Sequence, residues 1–186
     1  MRHVLMTLCL TALLWLGVTQ SSWAAIQEDI DLLLETHDCP VCILNEADLH
    51  GEDFSGANLK IATLTKANLS ATNLSGANLM LSYLEEANLS GANLAGAQLN
   101  GAQLPGAKLI GADLTGAEMT QANLLDADLS NANLQDAVML AVTLGTANLK
   151  GANLKGANLR GVNRSEALFC NTVMPDGDIE NRDCEG

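Results

Sequence analysis

Large side chains are nearly missing from this chain: of 186 residues, two are Phe, one is Tyr and two are Trp, and aromatics make up 3%. An ordinary globular core is built on bulky residues, so this one has to be packed from small, repeated parts. Proline is scarce at 3 residues, and histidine at 3. No nucleophile–base pair and no phosphate-binding loop accompany those few histidines, which argues against an enzyme. No catalytic residue, metal ligand or cofactor is therefore expected.

Basic residues are also few, 9 Lys and Arg against 22 Asp and Glu, for a formal charge of −13. Their distribution matters more than the sum. Between Ile26 and Leu59 there are nine acids and no Lys or Arg. From Lys60 to Arg164 seven acids face seven bases, and from Ser165 to Gly186 six acids face one Arg. The acidity sits at the two ends, and the long middle is neutral.

A long apolar run is absent too. The stretch Val4–Val18 is interrupted by Thr7, Thr11 and Gly17, and it falls short of the ~20 residues that span a bilayer. With Arg2 before it and Ser22-Trp23-Ala24 after it, residues 1–24 read as a secretory signal. Cleavage is expected after Ala24 or Ala25. Both tryptophans, Trp15 and Trp23, would leave with it.

What the chain does have is a period of five. Every fifth residue from Leu49 to Leu159 is Leu, except Phe54, Met119 and Met139. Two residues earlier stands Ala, except at Glu52, Thr72, Ser82 and Val142, and the residue between is mostly Asn or Asp. On an α-helix a five-residue spacing would smear the leucines over every face. On a flat strand they would alternate sides. A short extended piece fits, with Ala and Leu both pointing inward and a tight turn before the next Ala. Twelve glycines, Gly51 and Gly96 among them, fall two residues after the Leu phase. That is the third residue of such a turn, where a type II turn needs positive φ. Between Gln121 and Thr146 this phase holds no Gly, so turns of another kind are expected there.

This Ala-Asn/Asp-Leu-X-X pattern resembles the pentapeptide-repeat family over about residues 47–174. The resemblance implies an all-β fold, a right-handed quadrilateral parallel β-helix of twenty residues per coil, with Asn and Asp side chains bonded to turn backbone. The ends of such a stack need caps. Ile26, Ile30, Leu33, Leu34 and His37 recur at helical spacing, with Glu28, Asp29 and Asp31 expected early in the helix, where the macrodipole favours acids. The expected organisation is a signal (1–24), a helical N-terminal cap (25–46), the repeat array (47–164) and an irregular or short-helical C-terminal cap (165–186). Arg164, at a Leu position, is expected to snorkel outward or to pair with an acid.

After signal removal four cysteines remain: Cys39, Cys42, Cys170 and Cys184. With twenty residues per coil, Cys42 and Cys170 lie roughly 30 Å apart along the stack, far beyond the ~7 Å Cα limit of a disulfide. The local pairs Cys39–Cys42 and Cys170–Cys184 are the candidates, as disulfides or as inert buried thiols. Zinc at His37, Cys39 and Cys42 with His50 or Glu52, or a redox role for Cys39-Pro40-Val41-Cys42, has no support beyond residue type.

Some members of the family are acidic DNA mimics that bind type II topoisomerases. A neutral rod body and an export signal argue against that role here, and no nucleic-acid partner is expected. The resemblance points instead to the signal-bearing, cyanobacterial-type members of the periplasm or thylakoid lumen. The expected role is an exported structural or protein-interaction module, without stable membrane insertion after cleavage. Residues twenty apart stack on one side, and one side collects Ile61, Met80, Leu81, Val138 and Leu140 at outward phases, with Tyr83 and Leu125 adjoining. An exposed apolar patch often marks an interface, so this flank is the candidate for self-association or for another exported protein.

Overall fold

The computed structural model describes residues 20–184, so the signal expected over 1–24 lies almost wholly outside the described residues. From Asp38 to Val173 the coils are joined by parallel bridges, each linking a residue to the one twenty further on: Asp38 to Asn58, Ile43 to Thr63, Asp48 to Asn68, Asp53 to Asn73, and so on to Asn153 with Val173. Four such columns run up four sides. About seven coils stack at ~4.8 Å into a rod roughly 30 Å long.

The five-residue phase explains each side. The Ala and Leu positions point inward and are buried, from Ala57 and Leu59 to Ala152 and Leu154. Glu52, at the Ala phase of an early coil, turns outward and is exposed, whereas a Thr or Ser at this phase stays buried and its hydroxyl finds a carbonyl. Thr72 donates to Leu49 O at 2.8 Å, Ser82 to Leu79 O at 2.8 Å and Thr172 to Leu149 O at 2.7 Å. The Asn and Asp residues between do two jobs. Asn68 Oδ1 accepts the Ser70 N–H at 3.3 Å, holding the turn, and the Asn68 amide donates to Asp48 Oδ1 at 2.8 Å, linking coils.

The turns differ from expectation. The Gly-free stretch keeps the same left-handed third residue: Gln121, Asp126, Asn131, Asp136 and Ala141 have φ between 51° and 59°. Stacking forces each turn to copy the one beneath it, so non-glycine residues take the left-handed conformation and bear its strain. Within this stretch only the turn after Leu144 departs, with the positive φ moved to Gly145.

One helix, α1 (Gln20–Thr36), precedes the first coil. In the full chain it starts earlier than the expected Ile26, which leaves Glu28, Asp29 and Asp31 mid-helix; cleavage after Ala24 or Ala25 would return them to its first two turns. Leu33 is fully buried and Ile30 packs on the core, whereas Leu34 faces out. Asp29 ties the helix to the coil: its carboxylate accepts the Ile43 N–H at 2.7 Å, standing in for the carbonyl that a preceding coil would offer. Among the described residues no helix is long and apolar enough to cross a membrane.

At the other end the repeat register continues through Phe169 and Met174, both buried. Strand β1 (Thr172–Val173) then pairs antiparallel with β2 (Ile179–Glu180). Arg164 is exposed, and its carbonyl accepts from Arg182 at 3.2 Å. The Arg182 guanidinium also bonds Ala167 O and lies 5.1 Å from the Phe169 ring centroid. Asp183 exchanges two bonds with Phe169, accepting its N–H at 2.9 Å and donating to its carbonyl at 2.8 Å.

The Phe169 N–H, with Arg182 nearby, holds the Asp183 carboxyl below the usual carboxylate range. A depressed folded pKa means that the unfolded tail binds more protons. The stabilisation is therefore complete above about pH 4 and lost as pH falls through the folded value. Between pH 6 and pH 3 the amide protection factor of Phe169 should fall while that of Leu94 holds. Asp183→Asn should remove the difference. A flat profile for Phe169 in the unaltered protein would mean that the carboxylate does not fasten the tail.

Candidate functional site

The columns bring Ile61 and Leu81 one above the other, bonded through Ile61 N to Met80 O at 2.9 Å. The same column begins one coil earlier, at Val41, whose N–H donates to Lys60 O at 2.9 Å. On the adjoining side stand Ile43, Thr63 and Tyr83, bridged in sequence. Exposure is 64% for Val41, 37% for Ile61, 49% for Leu81, 49% for Ile43 and 44% for Tyr83. These five form one apolar cluster over the first three coils.

Not every expected residue joins it. Met80 is half-buried beside Leu81, and Val138 and Leu140 are half-buried about three coils further along. Leu125, exposed, lies away from the cluster on a later coil. Val41 and Ile43 were missed because the array was taken to start at residue 47. Following the five-residue phase back through Leu44 and Cys39 would have found them.

The third turn residue in three of these coils is Val41, Ile61 and Leu81, with φ of 60°, 62° and 58°. In the next coil the position is Gly101, and a Cβ there would come within 2.7 Å of Leu81 Cδ2. The glycine lets the Leu81 side chain lie along the rod, where the column ends. Thr63, in the adjoining column, has a buried hydroxyl without a hydrogen-bond partner among the described residues.

The cysteines sit at the two ends of the rod. Cys39 and Cys42 are disulfide-bonded with Cα atoms 5.5 Å apart, and Cys170 and Cys184 with Cα atoms 4.8 Å apart. Cys39 and Cys42 occupy the Leu and Ala phases and are buried. The Cys39 sulfur lies 3.3 Å from Asp29 O. Asp29, Cys39 and Cys42 place their ligand atoms within 4.8 Å of one another. The fold does not bring His37, His50 or Glu52 to them: His37 stacks edge-on with Phe54 at 5.9 Å, and His50 Nδ1 lies 2.9 Å from Ser70 Oγ.

The geometry thus defines a rod with an apolar cluster on one flank of its first three coils. The pentapeptide repeats family matches in eight copies, over residues 42–79, 82–121, 107–144 and 141–176. The chain belongs to the pentapeptide-repeat family, and its fold is the right-handed β-helix solenoid of that family.

Among solved structures it is similar to HetL, a pentapeptide repeat protein involved in heterocyst differentiation regulation from the cyanobacterium Nostoc sp. strain PCC 7120. The identity is 38% over 77% of this chain and 68% of HetL, with a TM-score of 0.49. It is also similar to Rfr23 from the cyanobacterium Cyanothece 51142, at 32% identity over 81% of this chain and 99% of Rfr23, with a TM-score of 0.35. A third relative is a pentapeptide repeat protein of the Arabidopsis thaliana thylakoid lumen, at 37% identity over 62% of this chain and 67% of that one, with a TM-score of 0.31. No curated protein matches the chain.

Proposed function

We propose that this chain is an exported, non-enzymatic interaction module: a rigid rod that presents its apolar flank to another exported protein in a periplasm or thylakoid lumen. The observation that carries the reading is the cluster of five exposed apolar residues, Val41, Ile43, Ile61, Leu81 and Tyr83, on two adjoining columns of the first three coils. Apolar groups gathered on one side of a rigid scaffold mark a contact surface. Export rests on the secretory pattern of residues 1–24, and it suits the two disulfides, since such bonds persist in oxidising compartments. In this reading α1 with the Cys39–Cys42 pair caps the first coil. Residues 178–184, fastened by Cys170–Cys184, cap the last.

Export is checked by sequencing the native N-terminus. It should begin at Ala25 or Ile26, and the mature protein should show no tryptophan fluorescence. A native chain starting at Met1 would overturn the extracytoplasmic placement. The flank is checked by Met80→Lys with Leu81→Asp, which touches neither the Leu nor the Ala phase and should leave the fold intact. Affinity capture from the native organism should lose its exported partner with this variant. Recovery of the same partner would move the interface elsewhere, and recovery of a type II topoisomerase alone would favour the DNA-mimic role.

A further inference from the structure

We infer that the flank formed by Val41, Ile43, Ile61, Leu81 and Tyr83 docks a segment of another protein that presents an apolar stripe between basic residues. The inference rests on the interaction-module reading and names the partner's chemistry. It starts from a conflict with folding. Val41, Ile61 and Leu81 hold left-handed backbone at φ of 58° to 62°, which β-branched and bulky residues strongly disfavour. At the same phase elsewhere the chain uses Gly, as at Gly96 and Gly101, or Ala and polar residues such as Ala71, Glu86 and Asn131, and a bulky apolar residue stands there only at these three sites among the described residues. Folding alone would favour glycine at all of these sites.

Nor does burial repay the strain, because these same side chains stand 37–64% exposed. The buried, unpartnered Thr63 hydroxyl on the adjoining column is a second feature that does nothing for stability. Strain held in place at exposed apolar residues points to a use outside the fold.

The size fits a partner. Five side chains of roughly 150–200 Å² each, about half exposed, offer on the order of 400 Å² of apolar surface. A standard interface takes about 800 Å² from each side, a little over half of it apolar. Along the rod, Val41 to Leu81 spans about two coil spacings, ~10 Å, the length of seven helical residues. An i, i+3/i+4, i+7 stripe has that reach.

Charge disfavours a second copy paired about a twofold centred on Ile61. Lys60 shares the turn of Ile61 and Lys66 stands on the next corner, with Glu46 one coil before Lys66 and Glu86 one coil after. A parallel twofold pairing sets Lys60 against Lys66 of the second copy. An antiparallel one sets each lysine against its own counterpart and Glu46 against Glu86. Like charges face each other both ways. Lys66 is already paired with Glu86 at 3.7 Å. At this end of the rod the exposed acids Asp38 and Glu46 and the half-buried Glu85, with the exposed Glu28, Asp31 and Glu35 on α1, outnumber the bases. That field attracts a basic rim.

The test uses the full mature chain and two synthetic 18-residue helical peptides. Both carry leucines at i, i+3, i+4 and i+7, one with lysine flanks and the other with glutamates in their place. The variant is Val41→Gly, Ile61→Gly and Leu81→Gly together, which removes the apolar column without changing charge. Its melting temperature should equal or exceed the original, since glycine accepts the positive φ. The lysine peptide should bind the original protein and bind the variant at least tenfold more weakly, and the glutamate peptide should not bind. Equal binding of the lysine peptide to both proteins would mean that the acids alone attract it, and the docking assignment fails. A dimer in sedimentation that the variant abolishes would overturn the basic partner in favour of a second copy, while leaving the interaction module standing. If neither peptide binding nor self-association depends on the flank, the interaction reading falls with it.

Discussion

Leu94→Ala should lower stability by about 2–5 kcal/mol, measured as a shift in the chemical denaturation midpoint. Leu94 is fully buried, with Leu74 and Leu114 in the coils on either side of it, also fully buried. The hole left by truncation cannot close. Each coil is pinned to the next by backbone bonds, such as Leu94 N to Asp113 O at 2.6 Å, and moving one coil inward would break those on both sides. Ser90→Ala gives the contrast. That side chain is half-buried at an outward position and bonds Asn88 Oδ1 at 2.7 Å, so its loss should stay within about 0.5 kcal/mol. Equal losses at the two sites would refute the inward and outward assignment.

Gly96→Val should cost about 1–3 kcal/mol for a reason that has nothing to do with space. A Cβ at Gly96 meets nothing within 4 Å, and φ there is +64°. The penalty is conformational, because a β-branched residue is forced into left-handed backbone. Asn131→Val tests the same idea where the repeat holds no glycine. Asn131 has φ 57°, so valine there should be destabilising on the same scale, and not clearly milder as an altered turn type would allow. Thermal unfolding of the two variants checks this. An unchanged melting temperature for both would show that the stack relaxes around left-handed valine, and the strain argument for Val41 and Ile61 would fall as well.

The candidate site was only partly legible. Ile61 and Leu81 stood out because apolar residues at an outward phase break the polar pattern. Val138 and Leu140 carried the same signal, yet both are half-buried. Phase tells which way a side chain starts and says nothing about how far its neighbours close over it. Ile43 and Val41 gave a weaker signal, because Cys39 and Cys42 replace Leu and Ala in that coil and hide the period. The strain at Val41, Ile61 and Leu81 was invisible, since β-branched residues ordinarily imply extended backbone.

By itself the sequence determined the solenoid. A five-residue period fits no helix and no flat strand, and the resemblance to the pentapeptide-repeat family implied the coil of four turns per twenty residues that buries the Leu and Ala positions together. It also determined that Cys42 and Cys170 could not meet, because stacking turns sequence distance into axial distance. The tertiary structure alone decided three things. It set one left-handed turn geometry with and without glycine, because each coil templates the next through the ladder. It placed Asp29 against Ile43 N and folded residues 178–184 back onto Phe169, because the unpaired edges of the end coils take whatever donor or acceptor the flanking chain can bring. And it gathered five exposed apolar residues, Val41, Ile43, Ile61, Leu81 and Tyr83, into one patch on the first three coils, because residues distant by twenty or forty become neighbours only when the coils stack.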